Sequence, residues 1–350
     1  RDRSVSRGLG DVYKRQIGGL VMANFKDIIG QESIKKHLQT AIKTGNLSHA
    51  YIINGEYGSG RQTIASALAK TIQCQSKTDD TDACGVCTSC KQAESHNHPD
   101  IKYITHDKTS ISVNDIREQL NNDISIKPYS SEYKIYIIPD ANKMTEQAQN
   151  ALLKTIEEPP VYAIIILLTE NCDSLLPTIR SRCVTLTMNP VEKDKICTYL
   201  ENKFQLEPEQ AQIAANYCQG NIGKAIRFAS SSDFIEMKNQ VLKLLKNLDS
   251  MDIASIIDTI KEFSTHKNDI NDYLDLMLLW YRDVLMFKVT KDANLLLYSD
   301  EYSAISEQAT KRDYENIENI IAAIDKAKVR LKANVNFDVT IELMILAMKD

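Results

Sequence analysis

Two stretches of this chain carry residue types whose spacing could do chemistry. The first is Asn54-Gly-Glu-Tyr-Gly-Ser-Gly-Arg-Gln-Thr63, between the apolar run Ala50-Tyr-Ile-Ile53 and a helical pattern over Ile64–Ile72. Strand, glycine-rich turn and helix in that order make the context of a phosphate-binding loop. Gly55, Gly58 and Gly60 let the backbone turn sharply and aim its N–H groups inward. The helix N-terminus adds partial positive charge at the same place. A working loop ends Gly-Lys-Ser/Thr, whereas this one ends Gly60-Arg61-Gln62. An arginine replaces the phosphate-reaching lysine, and an amide replaces the magnesium-holding hydroxyl. Thr63 cannot substitute, because one helical residue further on points roughly 100° away. The residues read as a nucleotide-binding architecture that has lost its own hydrolysis, with an ordinary glycine-rich turn as the competing reading. Whether the loop still holds a nucleotide or a small anion stays open, since the glycines and the helix dipole remain.

The second stretch is Cys74-x9-Cys84-x2-Cys87-x2-Cys90. Thiolates at this spacing can close a tetrahedral zinc site from one short excursion, and four sulfurs leave no open position. A zinc ion here is therefore expected to be structural. Redox chemistry or free thiols are the alternatives. His96 and His98 follow closely and read as surface or turn residues before Pro99-Asp100. The His-x-Glu partner of a base deaminase is missing. Cys172, Cys183, Cys197 and Cys218 are scattered and read as small buried residues.

The elements that must position these groups alternate. A helix is expected over Ser33–Thr44, and strands over Asp100–Ile104, Lys134–Ile138, Ala163–Thr169 and Val184–Thr187. Ser112 and Thr145 read as N-caps of two further helices, the second ending at Pro159-Pro160. This α/β alternation predicts a parallel sheet with helices on both faces. The strand Lys134–Ile138 ends in Pro139-Asp140, where a nucleoside triphosphatase carries a magnesium-holding acid first. Proline offers no ligand. Beyond Pro190 the pattern is helical only, over Val191–Glu201, Pro208–Cys218 and Ile222–Ala229 and then in longer amphipathic segments from about residue 234. The apolar stripe Met277–Phe287 reads as core or as a packing face toward neighbouring subunits. The expected divisions are 22–188 for the α/β domain, 189–232 for a small helical lid and 233–350 for a helical C-terminal domain. Residues 1–21 read as a foreign or disordered leader.

Composition excludes some classes. The 350 residues are 43% apolar and 25% charged, which suits a globular protein of two or three domains. A net charge of −5 gives no global basic field for nucleic acid. No apolar run reaches the ~20 residues a membrane helix needs, and no secretory signal is evident. A cytoplasmic chain is expected.

Several stretches together resemble one family. Asn150-Ala-Leu-Leu-Lys-Thr-Ile-Glu-Glu-Pro-Pro160 is similar to the signature helix of the AAA+ clamp-loader ATPases, and Ser181-Arg182-Cys183 matches their Ser-Arg-Cys motif. The cysteine module after the phosphate loop resembles that of bacterial loader subunits. Trp280–Lys288 and Asn334–Asp338 resemble their helical collar. The resemblance covers about residues 22–350. It implies an AAA+ P-loop domain with a zinc module, a lid and an oligomerising collar. Gamma/tau subunits of the family keep Gly-Lys-Thr, Asp-Glu and a lid arginine, where this chain has Arg61-Gln62, Pro139-Asp140 and Gly223. The departures imply a non-catalytic subunit of the DNA polymerase III holoenzyme with no ATPase of its own, supplying Arg182 in trans as an arginine finger. Gamma/tau and delta subunits are the implied partners, with the sliding clamp and primer–template DNA reached through the complex. The helix after Ser112, with Arg117, lies where the family tracks the duplex backbone, although a solvated helix face reads nearly as well. The alternatives are an active gamma/tau-type ATPase that tolerates Arg61, and a standalone zinc-containing nucleic-acid binder.

Overall fold

A computed structural model describes residues 24–78, 81–106, 109–230, 233–267, 269–333 and 335–349. The leader expected over residues 1–21 lies outside them. The elements are α1 (Glu32–Thr44), β1 (Ala50–Asn54), α2 (Arg61–Gln73), α3 (Thr88–Glu94), β2 (Ile101–Tyr103), α4 (Val113–Ile116), β3 (Lys134–Ile138), α5 (Glu146–Glu157), β4 (Ala163–Thr169), α6 (Pro177–Arg180) and β5 (Val184–Thr187). Helices follow: α7 (Lys193–Phe204), α8 (Pro208–Tyr217), α9 (Ile222–Ser230), α10 (Asp233–Asn247), α11 (Ile253–Thr265), α12 (Ile270–Thr290), α13 (Tyr302–Lys311), α14 (Tyr314–Lys332) and α15 (Phe337–Lys349).

The chain divides into two compact units. One runs to Gln205 and includes Cys218–Ile226; the other comprises Leu206–Tyr217 and Arg227 onward. The first unit holds a five-stranded sheet in the order β2-β3-β4-β1-β5, every pair parallel. Every residue of β3 and β4 is buried, because helices cover both faces. Alternation along β1 divides the core in two. Tyr51 and Ile53 pack with Ile64, Leu68 and Leu38 on one face, while Ala50 and Ile52 pack with Leu152, Ile116 and Ile179 on the other.

Local chemistry explains where the helices begin and end. α1 buries Ile34, Leu38, Ala41 and Ile42 on one side and stops at Gly45, whose φ of 70° is left-handed. Ser112 caps α4 by accepting the Asp115 N–H, and the Asp115 carboxylate accepts the Ser112 N–H in return. Thr145 caps α5 by accepting the Ala148 N–H. α4 continues into a π-turn over Arg117–Asn121.

The second unit is helical. Its longest member, α12, buries Leu276, Met277, Trp280, Tyr281 and Val284, so the apolar stripe packs inward. The Trp280 indole N–H donates to Gln308 Oε1 at 2.9 Å, and Gln308 Nε2 donates to the Leu245 carbonyl at 2.9 Å. Among the described residues no helix is long and apolar enough to cross a membrane. Two expectations need correction. His98 is buried, and of the scattered cysteines only Cys218 is buried, the other three being half-covered.

Candidate functional site

The glycine-rich loop leaves the end of β1 and enters α2. Gly58 and Gly60 have φ of 85° and 97°, a region that L side chains rarely adopt. Gly60 stands at the N-cap, so Arg61 and Gln62 open the helix. Arg61 is turned inward and is almost wholly buried. Its Nη2 lies 3.5 Å from Glu170 Oε1, one residue past β4. Burial pulls its pKa below the ordinary value, while Glu170 and Asp140 oppose that by favouring the charged guanidinium. Arg61 Nη1, Gln62 Nε2 and Ser59 Oγ are buried with no hydrogen-bond partner among the described residues.

The outer side of the loop is held by the chain around α9. The Gly223 N–H donates to the Gly58 carbonyl at 2.8 Å, and Asn221 Nδ2 donates to the Tyr57 carbonyl at 2.8 Å. A Cβ added at Gly223 would lie 2.7 Å from the Gly58 Cα and carbonyl oxygen. One added at Gly58 would meet Asn221 Oδ1 at 2.6 Å, and one at Gly55 would meet Met188 Cβ at 2.7 Å. The glycines therefore admit the protein's own neighbouring segments. Asp140, after Pro139, pairs with Lys143 at 3.1 Å and lies 3.5 Å from His106 Nε2.

The four clustered cysteines meet. All four Sγ atoms lie within 4.8 Å of one another, with Cys74–Cys87 at 4.0 Å and Cys84–Cys90 at 3.9 Å. A tetrahedral ion with Zn–S of about 2.3 Å places its sulfurs about 3.8 Å apart, so the set fits a metal such as zinc. Backbone N–H groups point at the sulfurs: Cys84 N at Cys74 Sγ (3.3 Å), Cys87 N at Cys84 Sγ (3.4 Å) and Cys90 N at Cys87 Sγ (3.4 Å). The amides of Val86 and Cys87 bring the Cys84 thiol down to about 6. Burial pushes the thiols of Cys74 and Cys90 up.

Two contacts tie this module to α2 and to the segment before β2. Lys70 on α2 reaches Glu94 Oε1 at 2.5 Å. Ser89 Oγ donates to the Gln73 carbonyl at 2.6 Å and lies 3.0 Å from His98 Nε2. The Asp100 N–H donates to His98 Nδ1 at 3.1 Å, so the neutral ring carries its proton on Nε2. Burial lowers the His98 pKa.

Ser181-Arg182-Cys183 forms the turn between α6 and β5, and there the arginine faces outward. Arg182 Nη1 donates to the Thr178 carbonyl at 3.0 Å and to Ser181 Oγ at 3.3 Å, while Nη2 pairs with Glu157 Oε1 at 3.1 Å. Its side chain is 40% exposed. Cys183 lies beneath, its thiol pushed up to about 12 by burial. The approach to α6 is fixed by buried Gln149 on α5. Gln149 donates to the Ser174 carbonyl at 3.1 Å and accepts the Leu176 N–H at 2.8 Å. At the far side of α5, Asn121 of the π-turn donates to the Ala151 carbonyl at 3.0 Å and accepts from Thr155 Oγ1 at 3.1 Å.

Similarity to known proteins follows the same outline. A family model described as DNA polymerase III, delta subunit, matches residues 30–192. DNA polymerase III subunit delta' of Bacillus subtilis (strain 168) is 33% identical over 323 residues, 91% of this chain and 96% of that protein. The chain belongs to the delta-prime subunit family of the bacterial DNA polymerase III clamp loader. DNA polymerase III subunit tau of the same organism is 28% identical over 285 residues, spanning 75% of this chain and half of that protein. A gamma subunit-related protein from Thermotoga maritima, known from a crystal structure, is 19% identical over 91% of this chain and 98% of its own, with a TM-score of 0.49.

Within a delta-prime chain the parallel sheet, the glycine-rich loop after β1 and the helical second unit make an AAA+ P-loop architecture. Several residues around the candidate sites escape sequence reasoning. Glu170 announces itself only as an acid at the end of a buried strand. Asn221 and Met188 carry no motif signal, and Gly223 is marked only as the place of a missing lid arginine, since the role of all three is to press on a loop far away in sequence. Glu157 falls inside the signature helix, where nothing in the spacing separates it from Glu158.

Proposed function

We propose that this chain is the non-hydrolysing subunit of its clamp loader and lends Arg182 to the ATP held by a neighbouring subunit. The observation that carries this is the opposite disposition of two arginines. Arg61, at the chain's own phosphate loop, is buried against Glu170, while Arg182 stands exposed on a turn braced from α5. An arginine finger stabilises charge on the transferring phosphoryl and is worth roughly 10³–10⁵ in rate. A loop whose lysine, hydroxyl and following acid are replaced supplies none of the groups that hold magnesium. At most it takes a small anion, among Gly55, Gly58, Gly60, Arg61 and Gln62.

The partners in this reading are gamma/tau and delta subunits, with residues 233–350 as the collar, 189–232 as the lid, and the clamp and primed DNA met through the assembly in the cytoplasm. Zinc held by Cys74, Cys84, Cys87 and Cys90 supplies a covalent-strength staple for the excursion between α2 and β2 and no reactive position. The test is a loader reconstituted with Arg182→Ala in which the adjoining subunit carries the competent ATP site. Clamp-stimulated hydrolysis at that site falls by about 10³ or more. An unchanged rate removes the finger.

A further inference from the structure

The guanidinium of Arg182 already has an anion in its seat. Glu157 Oε1 sits 3.1 Å from Nη2, and Nη1 is turned to Thr178 O and Ser181 Oγ. A carboxylate and a phosphoryl group present the same chemistry to a guanidinium, namely anionic oxygens accepting charge-assisted N–H bonds. One guanidinium edge cannot serve both. We propose that Glu157 is a positioning residue that parks Arg182, and that the finger engages a neighbour's nucleotide by exchanging the Glu157 carboxylate for phosphate oxygens. This rests on the reading of Arg182 as a finger.

The geometry gives the exchange its character. Glu157 is the last residue of α5, and its side chain is 45% exposed. Gln149, on the same helix, pins the segment that leads into α6. The parking carboxylate and the brace of the segment leading to the donor turn therefore sit on one element, and release needs only a side-chain rotation. Both partners face water, so the pair is weak enough to be displaced and strong enough to bias the resting orientation. A parked arginine is neutralised, which keeps an unassembled chain from presenting a bare cation at that surface.

The experiment uses the complete loader and magnesium–ATP, comparing Glu157→Gln, Glu157→Ala, Arg182→Ala and Glu157→Gln/Arg182→Ala. Removing the carboxylate lowers the cost of the exchange. Both Glu157 variants should raise kcat/KM for ATP at the adjoining site about two- to five-fold, the span of an exposed ion pair. The gain should shrink as salt rises from 0.05 to 0.5 M, because screening already loosens the pair in the unaltered protein. In the Arg182→Ala background the Glu157→Gln change should do nothing. If Arg182→Ala abolishes turnover while Glu157→Gln leaves it unchanged or lowers it, the finger stands and the parking is wrong. If Arg182→Ala itself has no effect, the finger reading and the inference resting on it fall together.

Discussion

The phosphate loop and the Ser-Arg-Cys turn flank strands of the same sheet, Arg61 following a glycine-rich turn and Arg182 sitting within a turn. They differ in what surrounds the guanidinium. At the loop, Glu170 faces Arg61 from inside while Asn221 and Gly223 take the outer carbonyls, so the loop is packed on both sides. At the Ser-Arg-Cys turn the segment leading in is held by Gln149 and Cys183 is half-covered, while the guanidinium is left at the surface with Glu157 beside it. A glycine-rich loop can therefore keep its backbone shape and lose its purpose, because the same bare Cα atoms that admit a phosphate also admit a neighbouring chain segment. In the proposed reading, an exposed arginine on a turn needs little more than that turn to act on a neighbour.

The largest test of this contrast is at the metal module that abuts the loop's helix. Cys84→Ser or Cys87→Ser should remove bound zinc and expose the segment between Cys74 and Glu94 to protease, since a closed four-sulfur site loses a quarter of its ligands. Elemental analysis of zinc per chain checks it, and full zinc content in both variants would refute the assignment. Cys183→Ser in the Ser-Arg-Cys turn serves as the control that leaves zinc unchanged.

Next is Gly223→Ala. The added methyl meets backbone atoms of Gly58 at 2.7 Å, and backbone cannot rotate away as a side chain can. Overpacking of this kind costs about 1–3 kcal/mol. Ser181→Ala in the exposed turn should stay within about 0.5 kcal/mol. Urea midpoints of the two variants check the pair, and equal losses would erase the distinction between a packed loop and an open turn.

Much of the first unit was legible because buried parallel strands are continuous apolar runs: Lys134–Ile138 and Ala163–Thr169 coincide with β3 and β4. Val184–Thr187 coincides with β5, an edge strand that alternates Val and Leu with Thr. Ser112 and Thr145 were legible as caps because a hydroxyl before a helical pattern has one common use. The start of α2 was not: Gly60-Arg61-Gln62 offers no capping side chain, so the periodic pattern at Ile64 was the first visible signal, three residues late. The π-turn at Arg117–Asn121 is stabilised by Asn121 bonding to α5, a tertiary contact without a sequence mark. His98 misleads for the same reason. His-Pro-Asp reads as a turn, and its burial depends on Ser89 lying across from it.

A smaller effect should appear with pH, and it should act on the sheet edge that carries the cysteine module. Burial holds His98 below its ordinary value, so the stability from its neutral form is whole above about 6.5 and is lost as pH falls through the lower folded value. Asp100 follows at lower pH. Burial acts to raise its pKa, but the N–H groups of Tyr129 and Ser130 outweigh burial and hold it below the usual range. Its contribution is whole above about 3.9 and is lost below that, through the folded value. Melting temperature should thus fall in two stages on acidification. His98→Gln should flatten the first stage by about 1 kcal/mol and leave the second. A wild-type curve that is flat from pH 7 to 5 would show that the buried ring does not titrate with unfolding.

The smallest expected change comes from the most literal repair of the loop. Arg61→Lys, Gln62→Thr and Pro139→Asp together restore the phosphate-reaching amine, the hydroxyl and an acid at the strand end. If the loop were disabled only by its side chains, the purified chain would then hydrolyse ATP. The packing argues otherwise. Gly223 and Asn221 would still hold the carbonyls of Gly58 and Tyr57, Met188 would still fill the space beside Gly55, and a lid arginine at Gly223 would meet the Gly58 backbone before its side chain began. Turnover by the triple variant should stay at background. Adding Gly223→Arg should destabilise the fold and leave turnover at background. Turnover appearing in the triple variant alone would mean that the clasp over the loop opens readily, and the contrast between a closed loop and an open finger would reduce to a difference of three side chains.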